Sequence, residues 1–121
     1  EKFNPADPLP EINGNRDLIK KVMNQSFKNF NLLEAPIASG DEDIMSPERA
    51  LQLHEQTGAW AVAWEGMGGA KACRELKKNY IEIRGITDLC VSTTADDFNK
   101  NIETAIRHAA LVAQAIIDPK L

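Results

Sequence analysis

The sequence predicts an α/β protein in which helices cover a parallel or mixed sheet. Short apolar runs alternate with helix-period stretches in the order helix, strand, helix, strand, helix, strand, helix, the pattern of strands joined through crossover helices. Two of those runs end in carboxylates, Glu65 and Asp88. The C-terminal ends of strands are where open α/β sheets place their chemistry.

The elements follow in order. Residues 1–15 hold three of the six prolines and little apolar periodicity, so they read as a loop or linker ahead of a unit spanning 16–121. A helix is predicted over 17–30, with Leu18, Ile19, Val22, Met23 and Phe27 on one stripe. Residues 32–38 read as a strand, and Pro36 assigns it to an edge or bulge. Ser39-Gly40-Asp41 is a turn by composition.

Ser46 and Pro47 then open a helix running to about residue 56. Serine caps free amides, and proline suits the first helical position because its missing N–H is not needed there. Thr57-Gly58 stops it. Residues 59–63 form the second strand, and a helix rich in small residues follows over 66–78. The third strand spans 80–86, a polar loop 88–96, and the last helix 97–117. Trp60 and Phe98 are expected in the core, and His54 and His108 on the surface. Three strands leave exposed edges, so a larger surrounding domain is expected.

A length of 121 residues allows one domain. The formal charge of −4 and pI near 5.2 argue against nucleic acid as a partner. No apolar run reaches the ~18–20 residues of a membrane span, so no membrane association is expected. Cys73 and Cys90 lack metal-site spacing. Neither a metal nor another cofactor is therefore expected, and the default location is a reducing cytoplasm. No leader is visible; the chain begins with Glu1 rather than Met, so a preceding segment is expected.

Asp88, with Thr87 beside it, is the leading candidate for chemistry, and Glu65 is the second. Carboxylates suit a ligand rich in hydroxyls and ring nitrogens: ionised they accept from a diol, protonated they donate to a basic ring atom. Ser39 and Asp41 follow the first strand and are weaker candidates. Trp64 is either core or a surface on which a ring stacks. Arg84, inside a strand, either pairs with a buried acid or approaches an anionic group.

Ile37-Ala38-Ser39-Gly40-Asp41, Ala61-Val62-Ala63-Trp64-Glu65-Gly66, Arg84-Gly85-Ile86-Thr87-Asp88 and Asp97-Phe98, in that order and spacing, resemble the purine nucleoside phosphorylase and nucleosidase superfamily. The nearest branch is similar to the methylthioadenosine/S-adenosylhomocysteine nucleosidases. The resemblance implies the C-terminal half of a three-layer, Rossmann-like fold, a small-molecule nucleoside as partner, no cofactor, and a homo-oligomer. It implies that Asp88 protonates the departing purine, that Glu65 grips the ribose hydroxyls, and that Phe98 lines the ribose and 5′-substituent side. Thr87, Ser39, Asp41 and Trp64 are the implied neighbours of the substrate.

Ala63 stands where the family carries a further glutamate, Trp64 where it carries methionine, and Asp43 where an aromatic stacks on the base. Gly66 after Glu65 favours attack by water at the N-ribosidic bond over attack by phosphate. Phosphorolysis and a non-catalytic nucleoside-sensing or interaction module are the alternatives, the latter favoured by Ala63 and Asp43.

Overall fold

The computed structural model describes residues 8–91 and 93–118. Its elements are α1 (Arg16–Met23), β1 (Ile37–Ser39), α2 (Pro47–Thr57), β2 (Ala61–Ala63), α3 (Gly66–Glu75) and α4 (Thr94–Ile117). β1 and β2 pair in parallel, with Ile37 opposite Ala61, Ala38 opposite Val62 and Ser39 opposite Ala63. Main-chain bonds extend the pairing at both ends, from Trp60 N to the Pro36 carbonyl and from Gly40 N to the Ala63 carbonyl. The architecture is thus mixed α/β with a small parallel sheet, α2 making the crossover.

Local chemistry explains most boundaries. Asn15 caps α1 by accepting from Leu18 N at 2.9 Å. Ser46 caps α2 by accepting from Arg49 N, Pro47 follows it, and Gly58 closes the helix with φ of 70°, a left-handed conformation that costs a side-chain-bearing residue energy. α4 starts at Thr94, earlier than predicted. Thr93 Oγ1 donates to Asp97 Oδ2 at 2.7 Å, and Asp96 and Asp97 fill the first turn, where the helix dipole favours acids.

Several expectations are corrected. α1 ends at Met23 rather than near Phe30. Phe27 and Phe30 stack at 4.8 Å, and Phe30 stacks on His108 of α4 at 4.3 Å. Burying those rings against α4 outweighs another helical turn, and it makes His108 half-buried instead of a surface residue. Lys21 Nζ, reaching the Ile116 carbonyl at 2.7 Å, ties the same two helices. The first strand is confined to Ile37–Ser39, beginning just after Pro36, which has no N–H to offer a ladder. α3 stops at Glu75, and Lys77 turns left-handed with φ of 54°.

Residues 80–86 join no ladder among the described residues. This segment is anchored by the bond from Asn15 N to the Tyr80 carbonyl at 2.7 Å. Gly85 lies against α4 so closely that a Cβ there would overlap the main-chain carbonyl of Ala105.

The core is small. Val22, Ile44, Ala59, Ala70, Ala105 and Val112 are the buried apolar residues, and Trp60, expected inside, is 68% exposed. Trp60, Val62 and Trp64 alternate along β2 and are all exposed. Parallel sheets are ordinarily covered on both faces; here one face of β2 is bare. The chain exposes 9489 Å² in all, against about 6,500 Å² for a compact monomer of its mass.

Two glycine substitutions test this packing in opposite directions. Gly85→Ala should lower stability by about 1–3 kcal/mol, because the atoms in its way are helix backbone. Gly68→Ala, with open space around it inside α3, should raise stability by roughly 0.5–1 kcal/mol. The urea midpoint of each variant measures both.

Candidate functional site

The ends of β1 and β2 meet at the start of α3, and Ser39 stitches them together. Its hydroxyl donates to the Trp64 carbonyl at 3.2 Å and accepts from Met67 N at 2.9 Å. Glu65, at the N-cap position of α3, makes no side-chain cap bond. Ser39 therefore caps α3 from the neighbouring strand, and the Glu65 carboxylate remains available for other partners.

That carboxylate is held by Arg84, whose Nη2 lies 2.7 Å from Glu65 Oε2. The same guanidinium donates through Nε to Glu82 Oε1 at 2.8 Å. Arg84 thus pairs with acids, but with none that is buried: Glu82 is partly covered and Glu65 exposed. Hydrogen bonding from Arg84, helped by Glu65's own backbone amide, holds the Glu65 carboxyl below the usual carboxylate range. Partial burial works against the charge on Arg84, yet Glu82 and Glu65 outweigh it and raise its pKa. Glu65 is thus kept ionised and can only accept hydrogen bonds.

Four residues along the same segment, Thr87 Oγ1 donates to Asp88 Oδ2 at 2.6 Å, and Cys90 N donates to Asp88 Oδ1 at 3.1 Å. Cys90 adopts a left-handed φ of 57° in making that turn. Asn101 of α4 donates to the Thr87 carbonyl at 2.8 Å, fixing the segment's end to the helix. Asp88 is half-buried. Burial pushes the Cys90 thiol pKa up, with the nearby Asp88 charge adding to it.

The predicted residues thus fall into two linked groups. Ser39, Trp64 and Glu65 share the β2–α3 junction, Thr87 and Asp88 share the end of the 80–88 segment, and Arg84 joins the two. Trp64 is 56% exposed and Phe98 45% exposed, so both rings present free surface. Asp41 and Asp43 lie exposed beyond β1. A cleft of about 320 Å³ beside α3, lined by Ile12, Asn13, Asn15, Arg74, Lys78 and Tyr80 among others, includes none of the predicted residues. No group of His, Cys, Asp and Glu among the described residues could hold a metal, and no described helix is long and apolar enough to cross a membrane.

Sequence reasoning passed over Tyr80 and Glu82. Tyr80 donates its hydroxyl to the Gly66 carbonyl at 2.9 Å and contacts Glu82 Oε2 at 3.4 Å. The available signal was positional: residues 80, 82 and 84 alternate, so an extended chain sends all three side chains the same way.

Comparison with known proteins bears on the family to which the chain is related. The family model of the phosphorylase superfamily matches residues 3–118. Over 92 residues the chain is 34% identical to the 5′-methylthioadenosine/S-adenosylhomocysteine nucleosidase of Thermotoga maritima, a match covering 76% of this chain and 42% of that protein. The match therefore spans less than half the length of this relative.

Two measurements follow from the geometry. Ser39→Ala should cost about 0.5–2 kcal/mol, read as a lowered unfolding midpoint. Replacing Arg84 by methionine should return the Glu65 carboxyl towards its ordinary value of 4.5, followed by carboxyl NMR titration. Because the folded value is depressed, the stabilisation from this contact is present above the ordinary value. It drains away as pH falls through the lowered one.

Proposed function

The chain belongs to the phosphorylase superfamily, and from that premise we propose that it forms the C-terminal half of a domain that cleaves the N-ribosidic bond of a purine nucleoside with water. The substrate class is 5′-methylthioadenosine and S-adenosylhomocysteine, the nucleosides named for the Thermotoga maritima relative. One observation carries the reading. A carboxylate at the end of β2 is held ionised by an arginine on the segment that ends in Asp88. The bare face of β2 agrees with a sheet that the rest of the family's domain would cover.

The chemistry assigns each group a task. As the bond from C1′ to the purine nitrogen lengthens, positive charge gathers on the sugar and negative charge on the base. Asp88, carrying a proton, delivers it to N7, so the purine leaves neutral. Water attacks C1′ and, as the C–O bond forms, releases a proton to solvent, from which Asp88 regains the one it gave. A positioned acid accelerates such a step by about 10²–10⁴-fold, or roughly 3–5 kcal/mol of barrier.

Glu65 accepts hydrogen bonds from the ribose 2′- and 3′-hydroxyls, which orients the sugar for attack. It also sets a negative charge beside the developing cation. Trp64 offers an exposed ring on which a purine can stack, and Phe98 offers apolar surface to the 5′ substituent. Thr87 steadies the Asp88 carboxyl. Ser39 serves by holding the β2–α3 junction, and Asp41 flanks it.

The test is to incubate the full-length protein with a nucleoside panel, with and without phosphate, and to follow free base. Release without phosphate is expected. Asp88→Asn should reduce kcat by about 10²–10⁴-fold, and Glu65→Gln should reduce kcat/KM. Release that requires phosphate would transfer the assignment to a phosphorylase. Full activity in both variants would remove these residues from the mechanism.

A further inference from the structure

We infer that Glu82 is a positioning residue for the sugar-binding carboxylate, acting through Arg84. This rests on the nucleoside-cleaving reading above and extends it to a residue that reading does not use.

Four contacts define the place of Glu82. Its Oε1 accepts from Arg84 Nε at 2.8 Å, its Oε2 lies 3.4 Å from the Tyr80 hydroxyl, and Tyr80 in turn bonds the Gly66 carbonyl. The fourth is with Gly66 itself. A Cβ at that position would overlap the Glu82 carboxyl group, so the glycine's bare Cα is what admits it. The Glu82 side chain is 18% exposed, whereas that of Glu65 is 69% exposed. The arrangement has a fixed end and a free end. Glu82 sits in a fitted niche against the start of α3, Arg84 spans the gap, and Glu65 faces outward.

Two consequences follow for a bound nucleoside. An arginine side chain has several rotatable bonds, and one anchored only at an exposed glutamate would sample many positions. Clamping Nε on Glu82 fixes where Nη2 lies, and so fixes the Glu65 oxygen that Nη2 holds. The second consequence is electrostatic. Two carboxylates and one guanidinium leave the trio with one net negative charge. Without the Glu82 charge the guanidinium would draw more strongly on Glu65, whose oxygens would then accept less from the sugar hydroxyls as these become stronger donors beside the developing cation. The loss would appear in the transition state more than in binding, and therefore in kcat more than in KM.

A strut that merely joined the 80–84 segment to α3 would predict something different. Removing it would disturb every substrate alike. A residue that acts through the sugar carboxylate affects only substrates with hydroxyls for that carboxylate to hold.

The experiment compares 5′-methylthioadenosine with its 2′,3′-dideoxy analogue in the full-length protein. Glu82→Gln keeps the shape and the acceptor oxygen but removes the charge. It should lower kcat on the ribonucleoside by about 10- to 100-fold and change the rate on the dideoxy analogue by less than about twofold. Gly66→Ala retains both charges but displaces the Glu82 carboxyl, and it should show the same dependence on the sugar hydroxyls. Retained cleavage of the dideoxy analogue also reports that each variant is folded.

Equal slowing of both substrates, or no slowing of either, would overturn the inference while leaving the cleavage reading intact. If the wild-type protein released no base, the cleavage reading itself would fall and this inference with it; if it released base but Glu65→Gln left the ratio between the two substrates unchanged, the sugar role of Glu65 and this inference would fall while cleavage stood.

Discussion

The contact on which the arrangement depends is the guanidinium of Arg84 lodged between Glu65 and Glu82. It joins the end of β2 to a segment that shares no ladder with it. A single arginine can do this because its fork presents donors at fixed angles to two acceptors at once. Replacing it with lysine would keep the charge and lose the geometry. Around this bridge the remaining contacts take their places. Tyr80 bonds the Gly66 carbonyl behind it, Ser39 caps α3 beside it, and Asn101 holds the Thr87 carbonyl three residues beyond Arg84 in sequence.

The sheet stands in contrast to these well-satisfied polar links. Two three-residue strands provide little apolar surface, and the buried residues among the described positions are mostly valine and alanine. Trp60, Val62 and Trp64 form a continuous bare strip along β2. Soluble monomers rarely leave contiguous apolar patches uncovered unless something binds there. The polar links hold the local geometry at the β2–α3 junction even though the surrounding core is thin. Hydrogen bonds with fitted partners depend less on core depth than apolar packing does.

Much of the fold was legible because it is encoded locally. The Ser46-Pro47 start of α2, its Gly58 stop, β2 and the long apolar stripe of α4 were all readable from short-range chemistry. The errors share one cause, which is that the deciding partner lay far away in the chain. Phe27 looked like part of a helical stripe, but its ring packs with Phe30, and Phe30 stacks on His108 across 78 positions. Residues 80–86 had the composition of a strand, but a strand needs a neighbour to bond, and none of the described residues supplies one. Trp60 was expected in the core, yet the face it occupies has no covering layer among the described residues. At the candidate site, Glu65 and Asp88 stood out as carboxylates closing apolar runs, whereas Glu82 was masked because an acid within a run carries no local mark of its partner.

By itself the sequence determined the caps of α2, the alternation of helix and strand from α1 to α3, and the carboxylates worth testing, since each of these depends on residues within a few positions of one another. Tertiary structure alone decided that Ser39 caps a helix 27 residues away, that Arg84 divides itself between two glutamates, and that Gly66 and Gly85 leave room for a carboxylate and a helix backbone respectively. Those outcomes depend on distances across the fold, and a linear order of residues specifies such distances only once the chain has packed.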